Sequence, residues 1–501
     1  GQTTGVRPAG PTSVPAGAAR PADARAAAAA DADTLEAHLA SQFSATGGLT
    51  ADEVAQKAVA TSFDVRARQA EIEAATAAVD QAVYAYYPRL TLTASYTRLS
   101  PITAPPLNLG GGTALAAPGV VVPDGQQAAP ITDINQLQLV RTPAFVFPVI
   151  LNNYALVARL TVPLSDYLLR FSQAHAAATH SESASMLNER ATRLKTAADA
   201  KGWYYQWVSA KLSLVAADQS LTQRRAQLLD TQRTFQAGTA SRADVLNAEA
   251  RVADAELFLE RQRNLVTLQE ERLRTIMHDN SGRPYDMGED VRNEPPGAQQ
   301  QVGALADGYN EALSQRLEVR ALDESALSLR ESAKVSRAGA WPRLDGLGDL
   351  TYSNPNQRFV PLQERFRATW SVGVQLSWSP NDVPVALSAA SATEARAAQT
   401  EAQRNALRDG LRQEVVQAHN GLREAQVAVQ TSARSLTAAE ESYRVRRELF
   451  RNGRATNLEV TDAENVLLIA RLNSITARVN LRIALVNLDH SLGRDVKRLN
   501  P

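Results

Sequence analysis

Cysteine is absent from all 501 residues. Its absence excludes disulfides, thiol catalysis and thiolate metal sites, and it leaves no N-terminal cysteine to carry a lipid anchor. No run of about 18 apolar residues occurs, so no helix is expected to span a membrane. Net charge is missing too: 53 basic residues balance 53 acidic ones, which removes the electrostatic case for nucleic-acid binding. The histidines at 38, 175, 180, 278, 419 and 490 have no HExxH-type spacing, and no serine lies in a GxSxG elbow. The run Gly110-Gly111-Gly112 precedes no helix signal and makes a poor phosphate cradle. Nothing argues for catalysis, a metal or a cofactor. The opening residues show no signal-peptide pattern, which fits either a cytoplasmic chain or numbering that begins after cleavage.

Proline is missing from two long stretches, between Pro163 and Pro284 and between Pro384 and Pro501. Both are dense in the helix formers Ala, Leu, Glu, Gln and Arg. Each holds a glycine near its middle, Gly238 and Gly453, where a helical hairpin could turn. A helix from Leu164 to Gly238 would be about 110 Å long at roughly 1.5 Å per residue, a length that calls for coiled-coil packing. Leu468, Leu472, Ile475, Val479, Ile483 and Val486 supply a near-heptad seam. Residues 1–45, rich in Ala, Pro and small polar types, read as a mobile tail. Order is expected from Thr50, because Thr50-Ala51-Asp52-Glu53 fits a capping box. Pro88 ends the helix that follows.

Past that proline, PRLTLTASYT alternates Leu90, Leu92, Ala94 and Tyr96 with Thr91, Thr93, Ser95 and Thr97, the period of a strand with two unlike faces. Tyr154 to Val162 and Trp370 to Trp378 alternate likewise, and a weaker segment begins at Leu344, diluted by Gly346 and Gly348. Each is about nine residues long, enough to cross a bilayer on a tilt. Aromatics gather at their ends, among them Tyr84, Tyr86, Tyr87, Trp341, Trp370 and Trp378, in the manner of a membrane-barrel girdle. A water-soluble sheet with one buried face is the plainer reading of any single strand. For four strands in lipid, closure is obligatory, and the smallest barrels use about eight, so several chains would have to contribute.

The chain also repeats itself. Asp64-Val65-Arg66-Ala67 recurs as Glu318-Val319-Arg320-Ala321, and Pro88-Arg89-Leu90 as Pro342-Arg343-Leu344. Phe235, Gly238, Ala240, Val245, Ala248 and Glu249 recur as Phe450, Gly453, Ala455, Val460, Ala463 and Glu464. The order helix, strand, loop, strand, long hairpin fills residues 49–290 and again 300–495.

These motifs, above all the turns FQAGTASRADVLNAEA (Phe235 to Ala250) and FRNGRATNLEVTDAEN (Phe450 to Asn465), resemble the TolC family of outer-membrane efflux proteins over residues 49–495. The resemblance implies an α+β membrane protein. It would be a homotrimer with a 12-stranded barrel, four strands per chain, continued by a helical coiled-coil barrel across the periplasm. It also implies a presequence already removed. The hairpin tips, Gly238, Thr239, Ala240, Gly453, Arg454 and Ala455, would dock a periplasmic adaptor serving an inner-membrane pump of the RND or ABC type.

In the same way Glu459 and Asp462 would form acidic rings at a periplasmic gate, with Asp244 and Asn247 at the matching positions of the first turn. As ordinary helix residues, the same carboxylates simply favour a helix N-terminus. The family pattern of a tyrosine three residues before the second turn glycine and an arginine two after is replaced here by Phe450 and Ala455. Arg454 stands one step early, and an Arg454–Asp244 pair is the expected substitute lock. Leu90, Leu92, Tyr96, Leu156, Leu160, Val372, Val374 and Leu376 would face outer-membrane lipid, with Tyr87, Trp341, Trp370 and Trp378 at its borders. The Pro- and Gly-rich loop 100–153 would enlarge the external face. The expected function is a passive exit duct for small molecules or proteins. A non-transporting trimeric coiled-coil scaffold or adhesin at the surface remains the alternative, and a soluble cytoplasmic coiled coil a third.

Overall fold

The computed structural model describes residues 47–102, 114–116, 138–140, 149–298 and 305–497. The tail 1–45, the triglycine run and most of loop 100–153 lie outside them. In chain order the elements are helices α1 (Ala51–Thr61) and α2 (Phe63–Tyr84), strands β1 (Arg89–Arg98), β2 (Ala114–Ala116), β3 (Gln138–Val140) and β4 (Asn152–Val162), then α3 (Leu164–Leu169), α4 (Phe171–Gln236) and α5 (Arg242–Met277). After α6 (Leu305–Gln315) and α7 (Leu317–Ala338) come β5 (Arg343–Asn354), β6 (Arg367–Ser377), α8 (Val383–Arg451) and α9 (Asn457–Ser491). No described helix is long and apolar enough to cross a membrane.

The chain divides into two compact units. The described regular elements of the first, from residues 1–75, 181–326 and 398–501, are all helices, with one isolated parallel bridge between Leu49 and Met287. Thr50 caps α1 as expected: the Glu53 amide donates to its Oγ1 at 3.3 Å and the Thr50 amide to Glu53 Oε2 at 3.4 Å. Buried positions on the long helices fall at multiples of seven residues: Ala390, Ala397, Leu411, Ala425 and Ala439 on α8, and Leu259, Val266 and Leu273 on α5. That is a heptad seam, small residues letting the helix axes approach. On α9 the buried stripe is Val460, Ala463, Leu467, Ala470, Ser474, Ala477 and Leu481. It lies beside the larger aliphatics expected from the sequence. Alanine and serine fill the tight coil, while Ile475, Val479, Ile483 and Val486 turn to a separate core around Tyr204, Trp207, Leu273 and Met287.

The second unit, residues 76–180 and 327–397, holds an antiparallel sheet in the order β1-β4-β5-β6. Strands β2 and β3 pair only with each other. β5 is 12 residues long despite Gly346 and Gly348, because as an inner strand it has its backbone groups paired on both sides. The helix expected from Leu164 is interrupted at Arg170, whose φ of −130° separates α3 from α4. The short α3 thereby positions Tyr167, whose hydroxyl donates to Tyr86 O at 2.5 Å, and Ser165, whose Oγ accepts from the Leu344 amide at 3.1 Å.

Candidate functional site

The register of the sheet sorts its side chains. Leu90 stands opposite Leu160, Leu92 opposite Ala158, Ala94 opposite Leu156 and Tyr96 opposite Tyr154. Leu160 then meets Gly348 and Leu156 meets Tyr352, and Val372, Val374 and Leu376 pair with Gly348, Gly346 and Leu344. Because side chains alternate across a strand, all eight residues expected to face lipid share one face. They are exposed there, Leu92 at 74% and Val372 at 78%. The opposite face carries Thr91, Thr93, Ser95, Thr351, Thr369 and Ser371, with Arg159 paired to Asp349 at 2.7 Å. β1 and β6 are the outermost strands, so each leaves one edge without a partner among the described residues.

Trp341, Trp378 and Tyr87 lie exposed at the end where strands join helices, with the Trp378 indole donating to Ala340 O at 3.3 Å. Trp370 sits further along the sheet, opposite Leu350. A second aromatic row closes the other end: Tyr96 to Tyr154 at 4.9 Å between centroids, Tyr154 to Phe366 at 6.1 Å, and Phe366 stacked on Tyr352 at 5.1 Å. Sequence reading missed Tyr154, Tyr352 and Phe366 as a group, because strands remote in the chain bring them together.

At the hairpin tips the two turns have the same construction. Gly238 (φ 79°) donates to Phe235 O at 2.9 Å and Thr239 to Thr234 O at 2.9 Å. Gly453 (φ 68°) donates to Phe450 O at 2.9 Å and Arg454 to Leu449 O at 2.8 Å. Each is a Schellman ending, whose left-handed residue favours glycine. Ser241 and Thr456 then open the return helices with capping boxes closed by Asp244 and Glu459. The Ser241 hydroxyl and amide hold the Asp244 carboxyl below its ordinary range. Glu459 is held low by the Thr456 amide and hydroxyl, helped by Arg446 at 3.3 Å.

Asp462, Asn247, Thr239 and Arg454 are exposed, and Ala240 and Ala455 half-buried. Phe450 packs against the cluster of Ala439, Tyr443 and Val460, whereas Phe235 is exposed. The expected Arg454–Asp244 lock is not among the ion pairs of the described residues: Asp244 turns back on its own cap, with Oδ2 2.7 Å from Ser241 Oγ.

A polar seam, unmarked in the sequence, joins α4 to α9 behind these turns. Arg224 and Glu464 are buried with Nε 3.7 Å from Oε1. Arg224 Nη2 also donates to Asn465 Oδ1 at 2.8 Å, and Gln227 Nε2 to Asn457 Oδ1 at 2.9 Å. Burial pushes the Glu464 carboxyl up, against the pull of Arg224, Arg251, Arg447 and Arg471. The seven-residue spacing from Glu464 to Arg471 on α9, and the three-residue spacing from Arg224 to Gln227 on α4, were readable only once the partner helix was known.

The chain combines a four-stranded antiparallel sheet, one face apolar and exposed, with long helical hairpins, a combination that fits an outer-membrane channel protein mixing strands and helices. The chain belongs to the outer membrane efflux protein family, whose pattern it matches over residues 54–277 and 308–494. Its fold is similar to that of the outer-membrane channel OprN, at 19% identity and a TM-score of 0.67, over 88% of this chain and 89% of that one. It is similar to VceC of Vibrio cholerae at 16% identity and 0.67, over 88% and 96%. It is also similar to the open state of the MtrE channel of Neisseria gonorrhoeae at 16% and 0.67, over 88% of each. No curated protein matches the sequence. The function is that of an outer-membrane exit duct for efflux, a conduit and not an enzyme, and the scaffold or adhesin alternative finds no support.

Proposed function

We propose that three copies of this chain close a 12-stranded barrel in the outer membrane and continue it as a coiled-coil barrel across the periplasm. The observation that carries this is the sheet itself: an exposed apolar face and, among the described residues, one unpaired edge at each of β1 and β6. Lipid tolerates no open edge, and four strands cannot close alone. Ten residues of β1 extend about 33 Å at roughly 3.3 Å each. Tilted by some 40°, that covers an apolar band about 25 Å tall.

In this reading the apolar face meets lipid, the polar face lines water, and the matched turn geometry reflects an internal duplication of residues 49–290 and 300–495. The tips around Gly238 and Gly453 dock a periplasmic adaptor, and an inner-membrane pump supplies the energy. Glu459 and Asp462, repeated threefold, ring the periplasmic gate with negative potential. The test is the purified protein in detergent and in planar bilayers. A trimer that conducts is expected; a monomer, or no current at any voltage, overturns the proposal.

A further inference from the structure

The connection between β5 and β6 does not stand away from the sheet. Asn356, 4% exposed, donates from Nδ2 to Arg367 O at 3.0 Å and to Thr369 Oγ1 at 3.1 Å, while its Oδ1 accepts from the Arg358 amide at 3.0 Å. Thr369 belongs to the polar face, opposite Thr351. Arg358 reaches from the loop to the strand, its Nη1 donating to Trp370 O at 2.9 Å. The loop therefore folds over the polar side of the sheet, at the end away from the helices. Between loop and strands lies a hollow of about 430 Å³ lined by Thr97, Asn153, Asp349, Ser353 and Thr369.

Along residues 355–367 the basic groups Arg358, Arg365 and Arg367 stand against Glu364 alone. Arg159 takes up Asp349 at 2.7 Å, and Arg358 has no carboxylate partner among the described residues. Burying an asparagine costs free energy unless its groups are bonded, and here Nδ2 ties the loop to the first residues of β6 while Oδ1 closes a turn within the loop. A loop needed only as a link between strands has no use for such an anchor.

We infer that this loop is a ledge that narrows the outer mouth of the duct and lines it with the Arg358 guanidinium. The inference rests on the duct reading, in which the polar face lines water. Three ledges form a constriction of positive sign at the outer mouth, and the solutes it favours are those bearing negative charge or hydrogen-bond acceptors.

The cysteine-free chain makes the test direct. Gln375 lies on the polar face six residues beyond Thr369 along β6, about 20 Å at roughly 3.3 Å per residue. In intact cells making the full-length Q375C variant, a small maleimide is expected to label the thiol, and a bulky polyethylene-glycol maleimide is not. Adding N356A, which frees the loop, is expected to raise bulky labelling to the level of the small reagent. R358A, an exposed position, gives the same reading should N356A fail to assemble. Bulky labelling with the loop intact, or exclusion that persists in an assembled loop variant, overturns the ledge and leaves the duct standing. Failure of the small reagent to reach Q375C overturns the duct reading and the ledge with it.

Discussion

Arg224 on α4 and Glu464 on α9 meet inside the protein, each less than a tenth exposed, with Nε 3.7 Å from Oε1. The pair is loose, and neither of these two atoms has a hydrogen-bond partner. Such a contact contributes little as an ion pair but is costly to break, since one partner then stays buried and charged. R224M is accordingly expected to lower stability by about 3 kcal/mol, read as a lower thermal midpoint of the helical signal. Adding E464Q is expected to restore much of it. The folded Glu464 carboxyl holds its proton more tightly than the unfolded one, whose ordinary value is 4.5. Its favourable contribution is therefore full below that value and is lost as pH rises through the raised one. R224M, stripped of the nearest attraction, should show the steeper loss. A variant as stable as the parent at every pH would remove the seam from the argument.

Leu92 and Thr93 are chain neighbours on opposite faces, paired with Ala158 and Val157 of β4. In a lipid-spanning sheet the two positions differ greatly in their tolerance of charge. L92R is expected to cost about 2–4 kcal/mol, the penalty for arginine near a bilayer midplane, and to reduce the yield of assembled protein in outer-membrane fractions. T93R should assemble like the parent. Equal yields of the two variants would contradict the assignment of faces.

Much of this was legible in the residues because the signals were local. The Thr50–Glu53 capping box, Pro88 as a helix stop, the turn glycines and the alternation of β1, β4 and β6 need only a few neighbours to be read. What the sequence concealed depends on partners far along the chain. The coil stripe of α9 lies on Val460, Ala463, Leu467 and Ala470 instead of the adjacent large aliphatics, since close-packed helices reward small side chains that carry no hydrophobic signal of their own. Tyr154, Tyr352 and Phe366 form a row only after β4 and β5 pair. Within the described residues Asp244 turns to its own cap for a local reason that the sequence did contain: Ser241, three residues before Asp244, offers the carboxylate both an amide and a hydroxyl.

The two hairpin turns should fray in parallel when their caps are removed. S241A and T456A each delete the hydroxyl that accepts from the third helical amide, at 3.2 Å from Asp244 and 3.3 Å from Glu459. Each is expected to cost about 1 kcal/mol locally, seen as faster amide hydrogen exchange over the first turns of α5 and α9. Asp244 and Glu459 have folded values below the ordinary one. Their contribution is therefore present above the ordinary carboxylate range and fades as pH falls through the lowered values. Protection at these turns that is unchanged in both variants would show that the caps do not hold the tips.

Glu459 serves two purposes, and they can be separated. Its Oε2 accepts from the Thr456 amide at 2.9 Å and lies 3.2 Å from the Thr456 hydroxyl, contacts that a glutamine can replace in a capping box. E459Q thus removes charge and keeps the turn. Arg446, 3.3 Å from Glu459 Oε1, already offsets part of that charge. Asp462, three residues on and on the same side of the helix, is exposed and makes no ion pair among the described residues. Asp462 should therefore dominate the potential at the tip. In bilayers under a potassium chloride gradient, D462N is expected to move the reversal potential further from cation preference than E459Q does, and the double variant further still. The difference should be present near 0.1 M salt, where screening extends over about 10 Å, and should vanish near 1 M, where it shrinks to about 3 Å. Reversal potentials equal to the parent's at low salt would place the acidic ring away from the conducting path, leaving Glu459 a helix cap and Asp462 a solvated carboxylate.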